Sequence, residues 1–289
     1  MADVLQKSAE LYEPRGRLDP GGFAHHIQFC TYAPPADLAP FIEHGWTVRW
    51  DKENDTYESQ EVMHRPYVDI FVSDQQSGIQ GTFCGRRTYR AAGSGRIVGI
   101  RLRPAAFHAF WDGAIATVQE KIIDIQQVFP QTDSGVIARL LTLDDLATVD
   151  ALFQLLRTRH PQRDANIELV NEIIRAIEAD HDLQTVREVA RAFARSERWL
   201  QQLFRSYIGV GLKWLLQRHR LLAALQQIRE TDQPDWAAIA YDLGYSSQQH
   251  FITAVKQVVG KTPVQYKQEL AEASQGRKIL PPTCPHPHP

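Results

Sequence analysis

The chain has little sulfur and no long apolar stretch. Its three cysteines, Cys30, Cys84 and Cys284, are odd in number and widely spaced along 289 residues, which excludes a compact disulfide framework and favours reduced thiols. No run approaches the roughly 18–20 uninterrupted apolar residues of a membrane span, so no membrane partner is expected. The opening "MADVLQKSAELYEPRGR" lacks an apolar core and carries acids, unlike a secretory signal or a transit peptide; the expected location is cytoplasmic. Net charge is also scarce, at −2, which taken alone disfavours nucleic acid. That sum hides an uneven distribution. Residues 181–270 hold twelve Lys and Arg against eight Asp and Glu, and the remainder twenty against twenty-six. A modestly basic C-terminal third supports DNA contact only together with a fitting geometry.

The chain is long enough for two domains, and its texture changes along its length. After an N-terminal extension (1–22), short runs rich in aromatic and β-branched residues, "HHIQFCTY", "HGWTVRW", "YVDIFVS" and "RIVGIRL", alternate with the turn signals "APPADLAP", "DKEND", "DQQSG" and "AAGSG", which predicts strands forming a sheet or barrel. From Pro104 onward helical periodicity predicts helices in "AAFHAFWDG", "IATVQEKIIDIQQVF", "GVIARLL" and "DDLATVDALFQLLRTRH". The last has a wide stripe through Leu146, Val149, Leu152, Phe153 and Leu156, wide enough to pair two subunits as well as to pack on its own domain. "HPQRD" is the linker between a β-rich domain (23–160) and an all-helical one (163–270). The Pro-rich end "PPTCPHPHP" lies in a stretch (271–289) expected to be a disordered tail. The expected class is therefore α+β, with a barrel-like β-rich domain followed by helices and then an all-α domain.

Within the helical part, "TVREVARAFARSERWLQQLFRSYIG" follows the pattern of a helix-turn-helix. Thr185 and Glu188 have capping-box spacing, and Ser196 is a second N-cap. Val186, Val189, Ala190 and Phe193 form one inner stripe, and Trp199, Leu200, Leu203, Phe204 and Tyr207 the next. Glu197, Arg198, Gln201, Gln202 and Arg205 are left facing out. The plan recurs in "DWAAIAYDLGYSSQQHFITAVKQVVGKTP", with Trp236, Ile239, Ala240 and Leu243 inside, a turn at Gly244, and Phe251, Val255 and Val258 anchoring the following helix. Uncharged amides at a helix start are poor catalysts but suit DNA: Gln pairs with adenine edges and Arg with guanine, while Lys serves phosphates. One such unit could be an ordinary solvated helix pair. Two in tandem, joined by the amphipathic "LKWLLQRHRLLAALQQIRE", point to DNA.

Residues 165–270 resemble the DNA-binding domain of the AraC/XylS family of bacterial transcription regulators, most specifically in "RLLAALQQI", "AAIAYDLGYSSQQHF" and "GKTPVQY". The resemblance implies a non-enzymatic, sequence-specific regulator whose two recognition helices enter successive major-groove turns. Carried onto this chain, the base-contacting residues are Arg198, Gln201, Gln202, Gln248, Gln249 and His250. Arg205, Lys213 and Lys256 are expected on phosphates. The sequence departs from the family pattern after the first unit, where "GVGLKW" replaces the usual Ser/Thr-Pro, and in the second recognition helix, which has Thr253 where a basic residue is usual and Val255 where Phe is common. "PPADLAPFIEHGWTVRW", "HRPYVDIFVS" and "GIRLRPAAFHAFW" resemble AraC-type regulators with an N-terminal domain of uncharacterised function. By this resemblance the partners are double-stranded DNA, a second copy of the chain, RNA polymerase and a small-molecule effector.

In the β-rich half, Asp69 interrupts an apolar strand and calls for a cationic partner; Arg101 and Arg103, alternating on a later strand, are the candidates. The pair is either structural or part of an effector pocket with Trp46, Trp50 and His64. The two tryptophans share a strand face, where they fill a core or line that pocket. The competing function is a metal-dependent β-barrel enzyme or metal sensor built on His25, His26, His44, His64, His108, Glu43 and Asp69. These have no tight ligand spacing, and the adjacent His25 and His26 point to opposite strand faces, so neither a metal nor another cofactor is expected.

Overall fold

The computed structural model describes residues 7–8, 27–51, 58–63, 66–84, 86–91, 93–180 and 182–276. The N-terminal half contains strands β1 (Lys7–Ser8), β2 (Ile27–Tyr32), β3 (Ile42–Trp50), β4 (Glu58–Met63), β5 (Asp69–Ser73), β6 (Gly78–Gln80), β7 (Arg86–Ala91), β8 (Gly95–Leu102) and β9 (Ile122–Ile123). Antiparallel pairing orders seven of them as β1-β2-β3-β8-β5-β6-β9, while β4 pairs with β7 as a separate ribbon. The expected barrel is therefore open. Among the described residues the two-residue strands β1 and β9 end the sheet, and β4 and β7 pair with each other instead of bridging those edges.

Alternation along the strands gives the sheet two faces. On one, a Cβ added to Gly45 would meet Val149 and Phe153, because α1 (Ser134–Thr142) and α2 (Asp145–Arg157) cover it. Val149, Leu152, Phe153 and Leu156 are buried in the same core as Ile70, Val98 and Ile100. The α2 stripe is thus consumed by its own domain, and only Leu146, with Leu143 beside it, stays exposed. The corner between the two helices is tied to the sheet by Arg49, which donates twice to the Asp145 carboxylate (2.8 and 2.7 Å), and by Arg96, which donates to the carbonyls of Leu141 and Leu143.

The segment 104–129 departs from the helical expectation. It holds only 3-10 turns at Ala106–Ala109, Ile115–Thr117 and Ile125–Gln127, with β9 between the last two. Glu120 takes a left-handed φ of 60°, Ile122 and Ile123 pair with Gln80 and Ile79, and Asp124 caps the third turn by accepting from the Gln126 N–H. Local turn chemistry and strand pairing override the apolar period.

Seven helices follow: α3 (Ala165–Ala179), α4 (Val186–Ala192), α5 (Glu197–Tyr207), α6 (Leu212–Glu230), α7 (Trp236–Asp242), α8 (Gln248–Val259) and α9 (Pro263–Gly276). The last extends six residues into the stretch expected to be tail. They form two cores. The first gathers Val170, Ile174, Val189, Leu200 and Phe204 with Leu212, Leu215 and Leu216 from the start of α6. The second gathers Ile239, Phe251, Val255 and Tyr266 with Leu221, Ala224, Leu225 and Ile228 from the end of α6. One continuous helix, about 28 Å long at 1.5 Å per residue, therefore belongs to both units.

The first unit also borrows from the β-rich domain. Ala105 is buried in its core, with Cys84 and Ala109 packed against it. Thr82 donates its hydroxyl to the Ile208 carbonyl (2.7 Å), Asn171 donates to the Pro104 carbonyl (2.8 Å), and His108 stacks on Tyr207 with centroids 4.0 Å apart. The corner after α5 passes so close that Gly209, at φ +92°, would bring a Cβ to 3.3 Å from the Ile115 backbone.

Candidate nucleic-acid interface

Both units present a helix start in the same way. Thr185 and Glu188 form the complete capping box of α4. Burial pushes the Glu188 carboxyl up, but hydrogen bonds from Thr185 and from the Gln184 N–H outweigh it, and the group sits below its ordinary value. The chain then turns through Ala194 at φ 50° in the first unit and through Gly244 at φ 70° in the second. Serine caps α5 and α8: Ser196 accepts from the Trp199 N–H and Ser247 from the His250 N–H. With the caps made inside the chain, the exposed side chains of the first helical turns are left to address a ligand.

On α5, Leu200, Leu203 and Phe204 fill the core side, while Arg198, Gln202 and Arg205 are exposed. Two residues depart from expectation. Gln201 is half-buried, and its Oε1 lies over Gly211, where a Cβ would come within 2.7 Å; the amide fills the space a side chain at that position would take and is turned off the outer face. Trp199 is not an inner residue. It is 37% exposed at the edge of the apolar stripe, with the Arg195 guanidinium 5.3 Å from its ring centroid. Leu200, Leu203 and Phe204 already occupy the inward positions.

On α8, Phe251, Val255 and Val259 are buried, whereas Gln248, Gln249, His250, Thr253 and Lys256 are exposed. Gly260, left-handed at φ 80°, closes the helix by donating to the Lys256 carbonyl, and Pro263 opens α9. Lys213 is exposed on the first turn of α6. Arg198, Gln248, Gln249 and His250 therefore stand in solvent on the first turns of two capped helices, with Gln202 one turn further along α5 and Arg205 and Lys256 beyond.

The β-rich domain brings four of the five proposed pocket residues to one sheet face. Trp46 pairs with Gly99 and Trp50 with Gly95, each indole lying over its glycine, and Asp69 pairs with Arg101 in register. This face is opposite the one covered by α2. Arg101 donates to both Asp69 oxygens at 2.9 Å and lies 5.6 Å from the Tyr67 ring centroid. Arg103 is not a partner of Asp69; it donates to the Ala39 carbonyl. His64, His25 and His26 lie outside the described residues. Among the described residues no three His, Cys, Asp or Glu side chains converge as a metal site, and no helix is long and apolar enough to cross a membrane. Burial, then the nearby Glu120 charge, raises the Cys84 thiol, the reverse of what a reactive cysteine requires.

Sequence reasoning missed the contacts between domains. Thr82, His108, Asn171 and Gly209 carry no local signal, because their partners are far away along the chain; Thr82 and Ile208 are 126 positions apart.

A family model described as "Helix-turn-helix domain" matches residues 189–269, and "Domain of unknown function (DUF6597)" matches residues 30–124. A putative AraC-like transcription regulator of Streptomyces antibioticus is 37% identical over 83 residues, which are 29% of this chain and 27% of that protein. The regulatory protein SoxS of Salmonella typhimurium is 35% identical over 82 residues, 28% of this chain and 76% of SoxS. Among solved structures, the C-terminal domain of AraT, a response regulator from Geobacillus stearothermophilus, covers 41% of this chain and 93% of its own at 28% identity and a TM-score of 0.31. With two capped helix-turn-helix units on one shared helix, and SoxS matched at 35% identity over 76% of its length, the chain belongs to the AraC family of transcription regulators.

Proposed function

We propose that the chain binds double-stranded DNA sequence-specifically through α5 and α8 and that its β-rich domain controls that binding. The observation carrying this reading is the repeated geometry: two serine-capped helices expose Arg and Gln on their first turns, where a helix in the major groove meets base edges. A single helix of about 28 Å contributes to both cores and so ties the two reading helices together; in this proposal they enter successive major-groove turns, about 34 Å apart. Arg198, Gln202, Gln248, Gln249 and His250 are the base readers in this proposal, with Gln201 available only if its amide leaves Gly211. Arg205, Lys213 and Lys256 contact phosphates.

Control enters through the sheet face bearing Trp46, Trp50, Asp69 and Arg101, where a small molecule with an aromatic or apolar body would lie over the tryptophans. It reaches DNA through the contacts of Thr82, Pro104, His108 and Ile115 with α3 and with the end of α5 and the corner after it. Two copies on neighbouring sites would raise affinity through effective concentration, and the exposed apolar residues for such pairing are Leu146 on α2 and Leu143 in the corner before it. RNA polymerase is the remaining partner in this reading. A gel shift comparing the full chain on a selected site and on random DNA of equal length tests the proposal, which fails if the two bind alike at every salt concentration.

A further inference from the structure

The start of α8 is braced from the linker helix. Arg220, on α6, donates Nη1 to the Gly244 carbonyl (3.1 Å), and its guanidinium carbon lies 5.5 Å from the Tyr245 ring centroid. Among the described residues no carboxylate pairs with it, and its Nε is buried without a hydrogen-bond partner. This half-buried arginine meets a turn carbonyl and an aromatic ring. Tyr245 is largely buried, and its edge meets two side chains of the α8 start, His250 and Phe251, each with centroids 5.4 Å away at 80° and 67°. Phe251 is core. His250 is exposed, and its Nδ1 lies 3.1 Å from the Ser246 hydroxyl, so the ring is held on one side by Tyr245 and at one nitrogen by Ser246. Nε2 is the nitrogen left to face a ligand. Gly244 is the hinge of this arrangement: its φ of +70° is strained for any other residue, and a Cβ there would displace the Gln184 amide just before α4.

We propose that Arg220 is a positioning residue for base readout: by clamping Gly244 and the face of Tyr245 it sets the orientation of His250, and so the base preference at the position His250 addresses. The proposal rests on α8 being a DNA reader. A guanidinium suits the task because its flat fork can hold the carbonyl while its face lies on the ring, which fixes the turn in two directions at once. Its role differs from that of a phosphate contact, because its Nη1 and its face are already engaged by the Gly244 carbonyl and the Tyr245 ring.

The test titrates the full chain and its Arg220→Met, Arg220→Lys, Tyr245→Leu and His250→Ala variants against the selected operator and against operators carrying each single base-pair change. His250→Ala should flatten the preference at one or two adjacent base pairs. Arg220→Met and Tyr245→Leu should flatten the same positions, on the order of tenfold, and leave those governed by Arg198 unchanged. Arg220→Lys, which keeps a cation and a donor, should retain most of the preference. A loss equal on every operator, or an intact preference at the His250 positions in both Arg220→Met and Tyr245→Leu, overturns the proposal while leaving α8 as a reader. If His250→Ala itself leaves the preference unchanged, the reading role of this residue fails and the role of Arg220 fails with it. A readout without DNA guards against misfolding: the ring resonances of His250, identified by their loss in His250→Ala, should shift in Tyr245→Leu and Arg220→Met as the ring current moves, and unchanged resonances contradict the bracing.

Discussion

At the scale of the residue, exposure on the first helical turn separates readers from scaffold. Arg198 stands free of the core while Leu200, two positions on, is fully buried. Replacing Arg198 by Ala should therefore cost about 1–3 kcal/mol on the specific site and much less on random DNA, measured by paired titrations; equal losses would make it a general electrostatic contact. Lys256, exposed near the end of α8, is expected on phosphate, so Lys256→Gln should reduce the slope of log affinity against log salt by about one. An unchanged slope would remove it from the DNA. The sequence made most of these exposures legible, since the 3.6-residue period sorts Leu200, Leu203 and Phe204 from Arg198, Gln202 and Arg205. It misplaced Gln201 because the residue its amide lies over, Gly211, is outside its own helix. It misplaced Trp199 because size and apolarity put the residue inside, while three smaller neighbours had already filled that side.

At the scale of the element, caps decide. The α4 capping box, both serine caps and the linker helix were readable because each is a local pattern of a few residues. The 115–129 stretch was misread as helix because its apolar period is real, but the Ile122–Ile123 pair finds a strand partner in β6 that no local pattern reveals. Thr185→Ala should destabilise the first unit by about 1 kcal/mol in urea denaturation. Glu188 adds a pH dependence. Its carboxyl is depressed in the folded chain, so its stabilisation is present above the ordinary glutamate value, about 4.3, and is lost as pH falls through the lower folded value. The stability gap between the wild type and Glu188→Ala should accordingly be full near neutral pH and shrink in acid; a gap that persists unchanged in acid would assign the effect to packing.

At the scale of the whole molecule, the two DNA units are unequal. The first shares its core and three polar or stacking contacts with the β-rich domain, whereas the core of the second is made only of residues from Leu221 onward. A change in the β-rich domain should thus reach α5 before α8. Gly209→Ala, which forces a side chain into a left-handed turn against the Ile115 backbone, should cost about 1–3 kcal/mol and speed amide exchange at Leu203 and Phe204 while sparing Phe251 and Val255. Equal acceleration in both units would mean that they open together. The most direct test of two-headed DNA reading is selection of fragments from a random duplex pool by the purified full chain, followed by sequencing. The expected result is an enriched site with two clusters of fixed bases about one helical turn, roughly 10 base pairs, apart, the first lost in Arg198→Ala and the second in Gln248→Ala; a pool that stays unenriched, or a site with one cluster that neither substitution alters, would contradict it.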